Sequence, residues 1–283
     1  MKILQIDAFS DKAFFGNPAA VVLLDKVLDD ETMLNIAKEM NLSETAFAQQ
    51  IDEEDMLFEI RYFTITDEVD MCGHATISTL SVLNEHYDLP HTFYIKTKAG
   101  KIRVAIENSE DQIKYYINQP KGKRKEDNVS RETLENVLNI TDDQLGNSFG
   151  IEATIYSTGL YDLLVPISTR QDLNAIQINR EEMIIDSKEK DMVGYHCYTI
   201  EDEIIYVRNF APLFGIDEEA ATGTSNGALL TLLFEKGVIK EGHYKIIQGE
   251  GMGKPTTIYG RIDEEGIWIG GACYKLFEGE LYI

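Results

Sequence analysis

Two short glycine turns carry the residues of this sequence that are best suited to chemistry. The first is Cys72-Gly73-His74-Ala75-Thr76 and the second is Thr222-Gly223-Thr224-Ser225-Asn226-Gly227, and each opens a predicted helix. A glycine turn at a helix start presents backbone N–H groups and the positive end of the helix dipole, which together bind an anion. Taken alone, either turn is also explained as a purely structural feature in which Thr76 or Ser225 caps the helix. Their occurrence at equivalent positions predicts a site that binds a carboxylate.

Glu44 is a third candidate, because it stands where a predicted helix gives way to the apolar strand that begins Thr45-Ala46-Phe47. A carboxylate that enters such a strand is partly desolvated, which raises its pKa and suits it to general acid/base work. We therefore predict Glu44 as an acid/base residue with a raised pKa. On the residues alone, a solvated glutamate at a strand start remains the open alternative.

The two turns belong to an internal repeat. Identical residues recur 150 positions apart in the acidic loops, the glycine turns and the helices that follow. The pairs are Asp67 and Asp217, Glu68 and Glu218, Gly73 and Gly223, Leu80 and Leu230, and Leu83 and Leu233. The repeat predicts two similar lobes with the turns facing one cleft. The position equivalent to Glu44 is Gly194, so one lobe has a carboxylate that the other lacks.

Short strand patterns dominate the chain, and helical patterns interrupt them. Residues rich in Val, Ile, Tyr and Phe predict strands at 3–9, 19–24, 45–50, 58–63, 93–97, 101–106 and 113–117. Amphipathic periodicity predicts helices at 31–40, 76–83, 132–138, 181–188 and 228–235. Regular βαβ alternation is rare, which favours an α/β (α+β) fold with a mixed sheet.

The same patterns predict how the chain divides. We expect an N-terminal lobe at 1–118, a C-terminal lobe at 119–274, and a final strand within 275–283 that returns to the N-terminal lobe. The charged stretch 121–126 is interpreted as a linker between the lobes.

The charge of the chain excludes several partners. The 283 residues include 26 Lys and Arg against 49 Asp and Glu, a net charge of −23. So acidic a surface repels nucleic acids and anionic membranes, although a local nest of N–H groups can still bind one small anion. The N-terminus has no signal-peptide core, and the three cysteines are scattered without metal or disulfide spacing. These features predict a cytoplasmic protein that needs no metal, nucleotide or flavin.

Motifs along the chain resemble, in order, those of PhzF-like phenazine biosynthesis proteins. They are Ile6-Asp7-Ala8-Phe9, Phe15-Gly16-Asn17-Pro18-Ala19-Ala20-Val21, Ser43-Glu44-Thr45-Ala46-Phe47, Cys72-Gly73-His74-Ala75-Thr76, Ser157-Thr158-Gly159-Leu160, Asn209-Phe210-Ala211-Pro212, Ala221-Thr222-Gly223-Thr224, Gln248-Gly249 and Ile269-Gly270-Gly271. The resemblance covers essentially the whole chain. It implies the diaminopimelate-epimerase-like fold, in which two pseudo-symmetric lobes each wrap a curved mixed sheet around a central helix.

The resemblance also implies a reaction and the residues that perform it. The type reaction of the family is a cofactor-free isomerisation of a dihydro-hydroxyanthranilate, in which a glutamate moves a proton between ring carbons. Glu44 matches that glutamate and His74 matches the histidine of the family. Glu219 stands at the position of an aspartate, and Thr224 at a position where Ser is common.

The same resemblance implies which residues bind the substrate and that the protein forms a homodimer. The implied partner is a small-molecule carboxylate, and the implied assembly is a homodimer. The implied substrate-binding residues are Asn17, Gly73, Ala75, Gly223 and Thr224.

Two other functions stay open beside an isomerase with a single carboxylate base. One is a catalytically silent binding protein that has kept the cleft. The other is an epimerase that uses Cys72, which lies where related two-thiol epimerases have their first catalytic cysteine. The position of their second catalytic cysteine is occupied by Thr222 in this chain. Inversion at a carbon needs a base on each face, so that reading requires a further activated group.

Overall fold

The structure is a computed structural model that describes residues 1–53, 55–109, 112–126, 129–146 and 149–283. The chain forms two compact units. The first consists of Met1–Asn118 together with Gly270–Ile283, and the second is Gln119–Ile269. The second unit is thus inserted into the sequence of the first.

The elements of the chain run in the following order. From the N-terminus they are β1 (Lys2–Ala8), β2 (Asn17–Leu23), α1 (Asp30–Met40), β3 (Thr45–Glu53), β4 (Met56–Phe63), β5 (Glu68–Val69), α2 (Gly73–His86), β6 (Thr92–Thr97), β7 (Gly100–Asn108) and β8 (Ile113–Asn118). They continue with β9 (Lys123–Lys125), α3 (Arg131–Leu138), β10 (Thr154–Ser157), β11 (Tyr161–Pro166), α4 (Arg170–Ala175), α5 (Arg180–Glu189), β12 (Tyr195–Glu201), β13 (Ile204–Ala211), β14 (Ile216–Glu219) and α6 (Gly223–Glu235). The last are β15 (Gly242–Gln248), β16 (Thr256–Asp263), β17 (Gly266–Gly271) and β18 (Cys273–Glu280). Short 3₁₀ helices lie at Asp142–Gln144, Pro212–Phe214 and Glu250–Met252.

The first unit is a mixed sheet with one buried helix. β1 pairs antiparallel with β2 and with β18, β2 pairs parallel with β3, and β3 pairs antiparallel with β4. β4 then pairs parallel with β6, which begins the antiparallel run to β7 and β8. Residues 74–83 of α2 are all buried, and the helix packs against β1, β2, β3, β8 and β18. A helix that is buried on every side forms the centre of its unit.

The second unit repeats this plan. β10 pairs antiparallel with β11, β11 parallel with β12, β12 antiparallel with β13, β13 parallel with β15, and β15 antiparallel with β16. Residues 225–233 of α6 are buried, and the helix packs against β10, β11 and β16. The order of pairing and the place of the buried helix are the same in both units, as the sequence repeat predicts.

The correspondence extends to the glycine turns. α2 begins at Gly73 and α6 begins at Gly223, so the 150-residue offset places both at the first helical position. The residues before them have similar extended backbones, with φ −138° and ψ 121° at Cys72 and φ −127° and ψ 115° at Thr222. Neither Cys72 nor Thr222 caps its helix through a side-chain hydrogen bond. The predicted mixed α/β fold of two similar units, each built around a central helix, is confirmed.

Some predicted elements differ from the structure. The stretch 121–126, interpreted as a linker, contains β9, whose residues pair antiparallel with β10. Helix α4 was not predicted, because its six residues are too short for a clear periodicity. The final strand begins at Cys273, before the predicted 275, and pairs along β1. Among the described residues, no helix is long and apolar enough to cross a membrane.

Candidate active site

Glu44 lies in the short connection between α1 and β3. Asn41 ends α1 in the left-handed conformation, with φ 51° and ψ 38°, and this turns the chain toward the sheet. The backbone carbonyl of Glu44 accepts a hydrogen bond of 3.2 Å from the N–H of Ala20 in β2, which fixes the residue at the start of β3. Its side chain is 20% exposed, so the carboxylate is largely removed from water, as the apolar strand predicts.

His74 lies in the first turn of α2 and directly contacts Glu44. Its Nε2 atom is 3.2 Å from Glu44 Oε2, and its side chain is 8% exposed. Ser43 Oγ lies 3.3 Å from the same nitrogen, and Asn17 Nδ2 lies 3.3 Å from Nδ1. The structure therefore brings together three predicted site residues, Glu44, His74 and Asn17. Ser43 completes this set, and its position beside Glu44 in a matched motif was the only sequence signal for it.

Cys72 also belongs to this cluster. Its Sγ atom lies 3.4 Å from His74 Nδ1, and the residue is buried. One ligand atom each from Glu44, Cys72 and His74 lie within 4.8 Å of one another, an arrangement that could hold a metal ion. The cluster thus joins a carboxylate, an imidazole and a thiol at the start of one buried helix.

The predicted raised pKa of Glu44 is wrong. Burial does raise this pKa, and it is the largest single influence. Three neighbouring side chains, those of His74, Ser43 and Cys72, stabilise the ionised carboxylate. Together they outweigh burial, so the pKa of Glu44 is lowered. The strand pattern correctly indicates desolvation but gives no sign of these three partners, because His74 and Cys72 are distant in sequence.

The charge of the cluster follows from its pKa shifts. Burial alone would lower the pKa of His74, but Cys72 and Glu44 stabilise the imidazolium, and the pKa lies well above its ordinary value. Burial raises the pKa of the Cys72 thiol, so the sulfur is protonated at neutral pH. At that pH Cys72 acts on the imidazolium through its contact with Nδ1, and Glu44 acts through its hydrogen bond and its negative charge. The resting cluster is an ion pair of His74 and Glu44 beside a neutral thiol.

The other predicted residues of the first unit lie in the same helix turn. Gly73 and Ala75 flank His74, and Ala75 is fully buried. Thr76 closes the turn, since its hydroxyl donates to the carbonyl of Cys72 at 2.6 Å and accepts from the Tyr62 hydroxyl at 2.6 Å. With no side-chain cap at Cys72, the turn is suited to an anionic group.

The second unit holds Glu219 and Thr224 at the corresponding turn. Glu219 ends β14, and its Oε2 accepts a hydrogen bond of 2.8 Å from Thr222 Oγ1. Gln248 donates to the Glu219 carbonyl at 2.8 Å and to Thr222 Oγ1 at 3.0 Å. The carbonyl of Thr224 accepts from Thr158 Oγ1 at 3.1 Å. Side chains of three matched motifs thus fix this turn, although the sequence assigned no role to Gln248 or Thr158.

A buried polar network lies behind that turn. Ser225 donates to Asp162 at 2.6 Å and accepts from Asn209 at 3.3 Å. His196 contacts Asn209 at 3.1 Å and Asn226 at 3.2 Å, and Asn226 in turn donates to Gln248 at 3.0 Å. The network joins Asp162 to the residues that hold Glu219.

Burial determines the charges within this network. It lowers the pKa of His196 to about 4, which leaves the imidazole neutral. It raises the pKa of Asp162 to about 7, with a smaller contribution from the Glu219 charge and an opposing one from Ser225. Sequence reasoning missed Asp162, because a single aspartate at a strand start is common.

Comparison with known proteins identifies what the chain is similar to. A family model described as phenazine biosynthesis-like protein (PhzC-PhzF) matches residues 6–275. An uncharacterized isomerase of Clostridium acetobutylicum is 32% identical over 99% of this chain and 98% of that protein. The uncharacterized isomerase YfhB of Bacillus subtilis is 30% identical over 94% of this chain and 92% of that protein. The crystal structure of a Bacillus anthracis PhzF-family phenazine biosynthesis protein superposes with a TM-score of 0.85 and 27% identity, covering 100% of this chain and 99% of that one.

Proposed function

The chain belongs to the PhzC-PhzF family of phenazine biosynthesis-like proteins and is an isomerase, and from this premise we propose that it moves a proton on a small carboxylate-bearing metabolite without a cofactor. We assign the substrate to the class of small carboxylates, cyclic ones included, that have a C–H bond next to a carbonyl or diene. A cytoplasmic homodimer is part of the same proposal.

The contact between Glu44 and His74 carries the proposal. A proton beside a carbonyl or diene is weakly acidic, so its base must be close, oriented and shielded from water. Glu44 meets these conditions, with a largely buried carboxylate 3.2 Å from a buried imidazole. Its lowered pKa keeps it ionised at neutral pH and therefore ready to accept a proton.

The proposed reaction uses one base on one face of the substrate. Glu44 takes the proton from the first carbon, and the electron pair left behind delocalises onto the neighbouring oxygen or diene. His74 donates a hydrogen bond to the oxygen on which negative charge develops. Glu44 then delivers a proton to a second carbon, and in at least a fraction of turnovers its carboxyl proton has first exchanged with water, so no proton or electron is gained or lost overall.

The ion pair also suggests how binding activates the base. In the resting cluster His74 stabilises the Glu44 carboxylate, which makes Glu44 a weak base. A substrate oxygen that takes over the contact with His74 Nε2 removes that stabilisation while burial remains. The pKa of Glu44 then rises toward the range that suits proton abstraction at neutral pH.

The turns at the helix starts are assigned to binding. In the first unit, the backbone N–H groups at Gly73 and Ala75 and the side chain of Asn17 bind the substrate. In the second unit, we propose that Gly223 and Thr224 bind an anionic or polar group and that Glu219 orients or polarises it. The support is the uncapped start of each helix and the fixed position of the Glu219 carboxylate.

A second candidate function is favoured by one observation. Cys72 Sγ lies 3.4 Å from His74 Nδ1, and a thiol beside an imidazole is a familiar nucleophile or base. An epimerase that uses Cys72 would need a thiolate, and burial works against that form. We therefore place this reading second.

Deuterium exchange in heavy water tests the proposal. Small cyclic and amino carboxylates are first screened for ligands that raise the melting temperature, since binding to the folded state stabilises it. Each ligand is then incubated with enzyme in heavy water and examined by mass spectrometry and proton NMR. We expect deuterium at one or two carbons of a ligand. A ligand that stabilises the protein and never exchanges would instead indicate the silent binding protein.

A further inference from the structure

We propose that Glu44, Cys72 and His74 form a binding site for a zinc-type divalent ion, and that such an ion inhibits the enzyme by displacing the Glu44–His74 pair from its catalytic arrangement. The binding itself is independent of the proposed function, whereas the inhibition rests on it.

The ligand chemistry points to this class of ion. Thiolate, imidazole and carboxylate are the three groups that bind Zn²⁺ in proteins, while Mg²⁺ and Ca²⁺ prefer oxygen ligands alone. Glu44, Cys72 and His74 supply one atom of each kind within 4.8 Å of one another. Three protein ligands leave a fourth position open, as in sites that exchange a bound water.

The distances are close to those of a tetrahedral site. In such a site the nitrogen lies about 3.4 Å from the carboxylate oxygen and about 3.6 Å from the sulfur. His74 Nε2 lies 3.2 Å from Glu44 Oε2 and 4.0 Å from Cys72 Sγ. Cys72 Sγ lies nearer to Nδ1, at 3.4 Å, so the Cys72 side chain must rotate toward Nε2 to join the other two atoms around one ion.

The surroundings supply the other features of a metal site. Glu44 Oε2 is a buried oxygen that makes no hydrogen bond of good geometry in the described structure, so an ion would satisfy it. Asn17 Nδ2 lies 3.3 Å from the opposite ring nitrogen, Nδ1; because a histidine bound through Nε2 keeps its proton on Nδ1, the Asn17 amide must turn its Oδ1 toward the ring to accept that proton and fix the ring orientation.

Charge balance favours the bound ion. A thiolate and a carboxylate each carry one negative charge, and an imidazole binds a metal ion in its neutral form. The ligands then carry two negative charges, and a divalent ion makes the buried site neutral. The net charge of −23 on the whole chain also raises the local concentration of cations.

Cobalt provides the direct test, because Co²⁺ occupies zinc-type sites and a bound thiolate gives it a charge-transfer band in the near ultraviolet. The full chain is titrated with CoCl₂ at pH 7.5. We expect one ion per chain, the thiolate band, and displacement of Co²⁺ by Zn²⁺.

Three variants locate the ion. Cys72→Ser should abolish the charge-transfer band, and Glu44→Gln should keep the band but weaken binding at least tenfold. Cys273→Ser is the matched control, because Cys273 is a free cysteine of the same unit outside the cluster, and it should bind Co²⁺ as the unmodified chain does. Circular dichroism establishes that each variant is folded. Absence of the band in the unmodified chain, or an unchanged band in Cys72→Ser, overturns the proposed site.

Inhibition is measured separately, with a substrate found by deuterium exchange. We expect stoichiometric Zn²⁺ to stop exchange and a chelator to restore it. If Co²⁺ binds as described but no carboxylate exchanges deuterium, the proposed function fails and the metal site stands. If exchange continues with Zn²⁺ bound, the inhibitory role is wrong while the proposed function stands.

Discussion

Glu44 and His74 lie 3.2 Å apart, and each changes the protonation of the other. Burial would by itself neutralise both groups, by raising the pKa of the acid and lowering the pKa of the base. Their contact and the neighbouring Cys72 side chain, joined by Ser43 in the case of the carboxylate, outweigh burial, so the pair is charged in the resting protein. Glu44 at the end of a loop and His74 at the start of a helix thus form one ion pair, and the charge of each residue depends on the other.

Replacement of Glu44 tests its role as the base. Glu44→Gln keeps the shape and the hydrogen-bonding capacity of the side chain but removes its basicity. We expect deuterium exchange to fall by about 10²- to 10⁴-fold, the usual contribution of a general acid/base group, while the ligand still raises the melting temperature. Glu39→Gln, at an exposed position of α1, is the control and should exchange normally. Exchange at the unmodified rate in Glu44→Gln would exclude the single-carboxylate mechanism.

The His74 imidazolium should be visible in the pH dependence of stability. Because its folded pKa lies above the unfolded value near 6.5, the folded state holds the proton more tightly. Its stabilising contribution is therefore complete below pH 6.5 and is lost as pH rises through the folded pKa.

Urea unfolding between pH 6 and pH 9 measures this effect. We expect the free energy of unfolding to fall across this range in the unmodified chain and to fall less in His74→Gln. His91→Gln, at an exposed position of the same unit, should behave as the unmodified chain does. An identical pH dependence in His74→Gln would show that His74 is not protonated at neutral pH.

The raised pKa of Asp162 predicts that the stability of the protein depends on pH. Its pKa rises from 3.8 to about 7 on folding, so ionisation of this buried carboxyl opposes folding. Stability is lost as pH rises from about 4 to about 7, and the loss amounts to as much as about 4 kcal/mol. Asp162→Asn keeps an acceptor for Ser225 and cannot ionise.

We therefore expect Asp162→Asn to gain stability relative to the unmodified chain as pH rises from 5 to 8. Thermal unfolding followed by calorimetry at several pH values gives the comparison. Asp202→Asn, in an exposed turn, should show no such trend. A constant difference between Asp162→Asn and the unmodified chain at every pH would contradict the raised pKa.

Cys72 distinguishes the two enzyme mechanisms. Burial raises the pKa of its thiol, and the thiolate is the reactive form. We expect slow alkylation of Cys72 by iodoacetamide at pH 7.5 and, in Cys72→Ala, retention of most deuterium exchange. Loss of exchange in Cys72→Ala comparable with that in Glu44→Gln would favour the epimerase reading.

Gly16 should be essential for the position of Asn17. Its φ is +82°, and a Cβ atom at this residue would lie 2.1 Å from the carbonyl oxygen of Ala8. Gly16→Ala combines backbone strain with a steric clash, and we expect a destabilisation on the order of 2–4 kcal/mol in urea unfolding. Gly100→Ala has a φ of +108° with no atom within 4 Å, so it reports strain alone and should cost about 1 kcal/mol. Equal losses would show that the close approach to Ala8 is not the cause.

The sequence predicted the features that depend on local pattern. Strand and helix patterns predicted most elements of the first unit, and the 150-residue repeat predicted a helix after each glycine turn, although the periodic ranges 76–83 and 228–235 begin three and five residues after the observed starts at Gly73 and Gly223. The motif order was sufficient to select Glu44, His74 and Asn17, which the structure brings into contact.

What the sequence could not supply depends on contacts between distant residues. The direction of the Glu44 pKa shift reverses because of side chains on another element, which no local pattern reports. Asp162 and Ser225 are 63 residues apart and meet only when α6 packs beneath β11. Cys72 and His74 are two residues apart in the sequence, but only the fold shows that Glu44 lies beside them.

The inserted position of the second unit has a consequence for synthesis. β1 pairs with β18, and the backbone N–H of Leu281 donates to the carbonyl of Met1 at 2.9 Å. The ribosome makes β1 first and reaches β18 only after the whole second unit, a delay of tens of seconds at about 5–20 residues per second. During that time one edge of β1 has no native partner and can pair with another nascent chain. Truncation before Gly270 would make that exposure permanent, so a shortened product is expected to aggregate even though its second unit is complete.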